Sequence, residues 1–222
     1  MEIRPIAHIY TNFKEKFGIP RQSGLSISPG RVVFEPEFRD PEALRGLEGF
    51  SHIWLIFDFS ESHRDGWSPT VRPPRLGGNV RVGVFASRSP FRPNSIGLSS
   101  VRLIGVEDSE EGKILVVEGA DLLDGTPIYD IKPYVRYSDS HPDAISGFAD
   151  DVYGKKLDVI FNIDPAAYLS DVQVSELMEC LEQDPRPGYH DDDREYNMAF
   201  ADCDVTFIIK NNMARVVGIR RL

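Results

Sequence analysis

Between Asp65 and Glu107 the chain carries no acidic side chain and no lysine, but it carries six arginines: Arg72, Arg75, Arg81, Arg88, Arg92 and Arg102. The 222 residues sum to a formal charge of −10, so the chain outside this window sums to −16. Arginine presents a planar fork of donors that matches carboxylate and phosphate in paired hydrogen bonds. The same window is dense in glycine and proline, "VRPPRLGGNVRVGVFASRSPFRPNSIGLSS", with Phe85 and Phe91 interleaved. Glycine and proline fix tight turns and let main chain approach a ligand. Arginines on such a loop point to a site for an anionic ligand; a solvated loop with incidental arginines is the competing reading.

Two further segments carry polar groups at turns. "GIPRQSG", residues 18–24, displays Arg21 and Gln22. "DLLDGTPIYDIKPY", residues 121–134, has a sharp turn at Asp124–Gly125, with Asp121, Asp124, Asp130 and Lys132 about it. By itself this second segment reads equally well as a hairpin turn with solvated carboxylates. The common nucleotide signatures are missing: there is no G-x-G-x-x-G after a strand, no Walker A motif and no G-x-S-x-G elbow. The five histidines and two cysteines have no metal-ligand spacing, so no metal is expected. Cys180 and Cys203 are too few for a disulfide framework and fit reduced thiols in a cytoplasm. No apolar run approaches a membrane span, and "MEIRPIAHIY" lacks the pattern of a signal peptide. A cytoplasmic protein without a membrane partner is expected. The net negative charge argues against broad, nonspecific nucleic-acid binding, DNA included, yet leaves room for a local basic face on one RNA loop.

The elements that must position these groups are mostly strands. Short Val/Ile/Phe-rich stretches broken by turn residues predict strands at 3–10, 31–35, 50–59, 81–87, 99–107, 113–119 and 127–134. "FSHIWLIFDF" is nearly all apolar and predicts a central strand buried on both faces. "PEALRGLEG" predicts one short helix begun by Pro41. Many short strands without intervening helices favour a barrel or sandwich. Composition changes near Ser138. Beyond a polar, turn-rich linker, residues 171–182 predict the chain's best helix, with a capping box from Ser170 and Gln173 and an apolar stripe at Val174, Leu177, Met178 and Leu181. "CDVTFIIKNNMARVVGIRRL" predicts a closing hairpin about Asn211–Asn212. The expected fold is mainly β: a small β-barrel domain over residues 1–138, then a linker and a small α+β domain over 139–222.

Taken together, "KEKFGIPRQSGL", "RGLEGFSHIWLIF", the arginine-rich string, "DLLDGTPIYDIKPY" and the late "DPRPGY" resemble the TsaA-like family, of its longer, two-domain, TrmO type. Ser95 stands where that pattern has a second proline. The resemblance implies a β-barrel methyltransferase that uses S-adenosylmethionine. It also implies the acceptor: N6-threonylcarbamoyladenosine beside the anticodon of a threonine tRNA, methylated on N6 by a homodimer.

The residue types suit that cofactor. Arg88 is a fork donor for its carboxylate, and Glu61, with Ser60 beside it, and Asp121 suit hydroxyls or the ammonium. Main chain at Gln22, Ser23 and Gly24 and at Leu122, Leu123 and Asp124 is placed to clasp the adenine edge, with Phe85 and Leu98 as apolar cover. For the acceptor's carboxylate and the tRNA phosphates the candidates are Arg72, Arg75 and Arg92, with Asn94, Lys132, Arg186 and Tyr189 also assigned to the tRNA. Asp130, Tyr134 and His52 are the candidate bases; for His52 a core histidine beside Trp54 is the competing reading. Two other functions stay open: a non-enzymatic module that binds S-adenosylmethionine or RNA, and a methyltransferase of the same fold acting on another substrate.

Overall fold

A computed structural model describes residues 2–186 and 194–222, except for the side chains of Arg75 and Val152. The first half is a run of strands: β1 (Ala7–Tyr10), β2 (Pro29–Phe34), β3 (His52–Asp58), β4 (Thr70–Val71), β5 (Val82–Gly83), β6 (Ile96–Ser109), β7 (Gly112–Glu118) and β8 (Thr126–Pro133). Pairing runs β1–β2–β7–β6–β3–β8, and β8 returns to β1, so six strands close into a barrel. β4 and β5 stand apart as a two-stranded ribbon on the arginine-rich loop. The protein is mainly β, as the sequence predicts.

Two expectations change. β3 is not buried on both faces. Ile53, Leu55 and Phe57 point into the barrel core, while His52, Trp54, Ile56 and Asp58 alternate with them on a face that is exposed or half-buried. The period of two decides this, because a barrel strand has one inner and one outer face. The predicted strand at 81–87 is only two residues long. It passes into a 3-10 turn at Val84–Ala86, where buried Val84 anchors the loop. Likewise "PEALRGLEG" forms two 3-10 turns, Pro41–Leu44 and Leu47–Gly49, with left-handed Gly46 (φ 86°) between them.

The second half contains α1 (Arg136–Asp139), β9 (Asp158–Phe161), α2 (Asp171–Glu182), β10 (Glu195–Phe200), β11 (Cys203–Lys210) and β12 (Met213–Arg221). Both halves of the Ser170/Gln173 capping box form at the start of α2. Asn211 and Asn212, at φ 52° and 61°, make the tight turn between β11 and β12. The sheet order is β10–β11–β12–β9, with β9 parallel to β12.

Each half has its own core, one inside the barrel and one between α2 and the four-stranded sheet. The second core takes residues from the N-terminal half: Phe13 is fully buried in it, and Phe17 and Ile19 pack against it. Asn12 O accepts from Ala201 N at 2.8 Å, and Phe13 bridges Phe200. Among the described residues no helix is long and apolar enough to cross a membrane.

Candidate functional site

Three turns converge at one end of the barrel. The 21–24 turn is held by Gly24, whose N–H donates to Gly119 O at 2.9 Å at φ 73°, a conformation open to glycine. The 119–123 segment follows β7 and carries Asp121 and Leu122. The arginine loop returns to the barrel where Ser95 O accepts from Phe59 N at 2.8 Å. Between them lies a cavity of about 510 Å³, within the usual range for a small-molecule site. Gln22, Ser60, Glu61, Arg88, Leu98, Asp121, Leu122 and Leu123 line it, eight of the residues expected from the sequence to hold a cofactor.

Its polar groups are poised. The Arg88 guanidinium donates to the Gln22 side-chain oxygen. Asp121 Oδ1 is buried with no hydrogen-bond partner. Burial pushes the Asp121 carboxyl above its usual range, against the lowering influence of the Ser99 hydroxyl, its own backbone, Arg88 and the Ser23 main chain. Phe57, Phe59 and Leu98 supply apolar wall.

This pocket opens into a larger cleft of about 2100 Å³. Arg21, Arg64, Arg72, Arg81, Arg88 and Arg92 line the cleft, against Asp58 and Asp65. Of the six window arginines, Arg102 is elsewhere: it pairs with Glu118 at 3.2 Å across β6 and β7. One nitrogen of Arg92, Nη1, donates to Ser87 O at 3.0 Å and Ser89 O at 3.4 Å, and so braces the loop while the residue lines the cleft. Arg72 and Asn94 are exposed in the cleft. The main chain of Arg75 follows Arg72 in the 3-10 turn Pro74–Leu76.

Several other residues have partners or positions of their own. Phe85 lines the large cleft and not the cofactor-sized pocket. Asp124, expected to offer its main chain, lies beside that lining: its N–H donates to Phe13 O at 2.8 Å, and its carboxylate accepts from Thr11 N at 2.9 Å and pairs with Lys14 at 2.9 Å. Asp130 pairs with Lys132 at 2.8 Å. His52 is exposed at the start of β3, with its ring 6.1 Å from Tyr134, so it is not a core histidine. His52, Asp130, Lys132 and Tyr134 are absent from the lining of both cavities. Arg186 forms a fork to Asp184, and Arg21 donates to the carbonyls of Asp184 and Arg186 at 2.8 Å, which docks the "DPR" turn beside Gln22. Tyr189 lies outside the described residues.

One constellation was missed in the sequence. Asp58 lines both cavities, and its Oδ1 lies 2.8 Å from His63 Nε2. Tyr129 joins them: burial, the charge of Asp58 and a hydrogen bond to it hold the phenol above its usual range. The signal was faint because Asp58 sits inside an apolar run and Tyr129 is the residue by which β8 slips register against β3.

Residues 8–140 match the tRNA-methyltransferase O N-terminal domain family, and residues 155–222 match the TrmO C-terminal domain family. A tRNA (adenine(37)-N6)-methyltransferase of Escherichia coli is 43% identical over 195 residues, covering 85% of this chain and 83% of its own. The protein of that name from Eikenella corrodens is 47% identical over 172 residues, covering 77% of this chain and 97% of its own. A putative S-adenosylmethionine-dependent methyltransferase of Pseudomonas aeruginosa, RcsF, is 44% identical over 212 residues, 91% of this chain and 90% of its own. A crystal structure of TrmO from Pseudomonas aeruginosa superposes with a TM-score of 0.80 at 36% identity, over 100% of this chain and 97% of that one. The arginine-rich loop, the 21–24 turn and the 119–123 segment thus sit in a chain that matches both domains in order, and it belongs to the TrmO family.

Proposed function

We propose that the chain transfers a methyl group from S-adenosylmethionine to N6 of N6-threonylcarbamoyladenosine beside the anticodon of a threonine tRNA. The observation that carries this reading is the junction of the cavities: a cofactor-sized pocket opens past Asp58, Arg88 and Arg92 into an arginine-lined cleft. The relatives' name supplies the reaction, N6 methylation of adenosine 37. The cleft supplies the reason for a modified acceptor, because the threonylcarbamoyl group adds a carboxylate and arginine forks suit it.

The pocket fits the cofactor. Asp121 Oδ1 is a buried acceptor without a donor, and the cofactor's ammonium or ribose hydroxyls bring one. Arg88 takes the carboxylate, Leu98 and Leu122 cover the apolar parts, and the main chain at Gln22 and at 122–123, which line the pocket, meets the adenine edge. When bound, the cofactor supplies an electrophilic methyl group on a sulfonium. The chain's own share is alignment, since in-line displacement depends on holding the acceptor nitrogen on axis. The N6 lone pair is delocalised, so a group that takes its proton raises the rate. His63 is that group within one protomer. With its Nε2–H donating to Asp58 Oδ1, its Nδ1 is left to accept the proton, and Asp58 fixes the orientation of the ring.

The working unit is a cytoplasmic homodimer. Leu98, 54% exposed on the pocket wall, is apolar surface that a second copy would close. Residues 1–138 carry the chemistry and residues 139–222 help to recognise the tRNA.

The test is methylation of threonine tRNA taken from cells with and without the threonylcarbamoyl modification, read by mass spectrometry of nucleosides. Methylation of the modified tRNA alone is expected. Equal rates on both would overturn the acceptor assignment. A monomer by sedimentation at micromolar concentration, with full activity, would overturn the dimer.

A further inference from the structure

The large cleft holds an aromatic pair that the cofactor chemistry does not use. Trp67 is 56% exposed and Phe85 is 75% exposed. Their ring centroids are 6.3 Å apart with 31° between the planes. The pair is built and not incidental. Trp67 precedes β4, and Phe85 follows β5. The ribbon fixes the spacing through the pairs Thr70 with Gly83 and Val71 with Val82, and Val84 N donates to Pro69 O at 3.0 Å. Buried Val84 pins the same turn from below. Two large rings left this open are normally hidden in a core or a partner.

The surroundings say which partner. Arg64, Arg72, Arg81 and Arg88 line the same cleft as the two rings. Of the acidic side chains facing it, Asp58 is already engaged by His63. Arg64 lies 3.6 Å from the centroid of the Phe91 ring, so a cation already stacks on an aromatic face in this cleft. Exposed rings beside arginines are the composition that grips single-stranded nucleic acid: the rings stack on bases and the cations follow the phosphates. Paired bases keep their faces inside the helix and cannot use such a platform.

We propose that Trp67 and Phe85 form a stacking platform for an unpaired base of the anticodon loop next to the target adenosine. The platform holds the loop over the pocket mouth, so it acts in substrate binding and sets a preference for looped over duplex RNA. This rests on the tRNA reading above.

The chain has only two tryptophans, and the other, Trp54, donates to Asp139 at 2.9 Å from a half-buried position. The emission difference between the wild-type chain and Trp67→Phe therefore reports on Trp67. The probes are an anticodon stem-loop RNA of threonine tRNA and a duplex RNA of equal length. Stem-loop should quench Trp67 and duplex should not. Trp67→Ala and Phe85→Ala should each raise KM for tRNA about tenfold, within the range for loss of one base–aromatic stack. The rise in KM should far exceed any fall in kcat, and Trp67→Phe should recover most of it. Cofactor affinity by calorimetry should not move, which also reports that the exposed substitutions leave the fold intact. Unchanged KM in both alanine variants, with the wild type active on tRNA, would overturn the platform and leave the methyltransferase reading standing. Equal quenching by duplex RNA would reduce the site to electrostatics and also overturn it. Emission that depends on protein concentration without RNA would assign the rings to a second copy instead. If the wild type methylates no tRNA, the functional reading falls, and the stem-loop titration alone decides the platform.

Discussion

Replacing Glu176 by glutamine should stabilise the fold at pH 8 and remove a pH dependence that the native chain carries. Glu176 is on α2 with no exposed surface. Its Oε2 accepts from Asn12 Nδ2 at 2.7 Å, while Oε1 has no partner. Burial drives its carboxyl from 4.5 to about 7; hydrogen bonds from Asn12 and Ser28 oppose the rise, and the charge of Glu179 adds to it. That displacement corresponds to about 3 kcal/mol, at roughly 1.4 kcal/mol for each pH unit. The folded value lies above the unfolded one. The stability linked to this group is therefore complete below about pH 4.5 and is lost as pH rises to about 7. Glutamine keeps the acceptor for Asn12, turns its new donors toward Ser28 and Glu179, and carries no charge to bury. The assay is urea unfolding of both chains from pH 5 to 8. The difference between them is the readout, because other titrating groups cancel in it. It should grow with pH in favour of glutamine and level off near pH 8 at about 3 kcal/mol. A flat difference, or a less stable glutamine chain at pH 8, would refute the claim that the hydrogen bonds from Asn12 and Ser28 fall short of compensating the burial of an ionised Glu176.

Three further outcomes follow from the geometry. Asp121→Asn should weaken S-adenosylmethionine binding by about 1.5–3 kcal/mol, the range for a hydrogen bond to a charged group. In the native chain, binding should tighten as pH rises through the raised titration of Asp121 and should release a proton; buffer-independent binding enthalpies would count against this. Arg92→Ala should lower cofactor affinity as well as tRNA use, because it removes the Nη1 donors that brace Ser87 O and Ser89 O; calorimetry showing native cofactor affinity alongside a raised KM for tRNA would restore Arg92 as a direct tRNA contact. A chain truncated after Ser138 should aggregate or lose cofactor binding, since Phe13 is then stripped of its core; a monomeric, cofactor-competent product by sedimentation and calorimetry would show the first unit to be independent.

The sequence carried the elements better than their neighbours. Strands with period-two patterning and helix α2 with its capping box were legible because local rules decide them. β9 was not, since its pairing partner β12 is more than fifty residues away and the stretch "DVIF" has no flanking signature. The turns that line the smaller pocket were legible as turns because backbone reversal needs glycine and proline at fixed places. What each arginine does was not, because charge and loop density do not say which guanidinium faces solvent. Arg88 reaches into the pocket, Arg92 turns back to its own loop, and Arg102 leaves on a strand to meet Glu118. The candidate bases lie outside the lining of both cavities for a related reason. His52 and Asp130 alternate outward from the barrel, and that depends on which face of β3 and β8 the closure turns inward.

Residues 11–28 connect these observations. They leave β1, place Phe13 in the second core, turn through Arg21 and Gln22 at the pocket, and return to β2 past Ile27, whose N–H donates to Glu179 on α2. One segment therefore joins two barrel strands, enters the second core, lines the smaller pocket and meets the carboxylates Glu176 and Glu179 of α2. Arg21 adds a fourth link by holding the carbonyls of Asp184 and Arg186. Gln22 lies between Phe13, buried in the second core, and Ile27, tied to Glu179 on α2. Gln22 in turn holds Arg88. The second unit is thereby joined to the smaller pocket through packed side chains and main-chain hydrogen bonds, a route by which it would act on the proposed cofactor site apart from any contact with the tRNA.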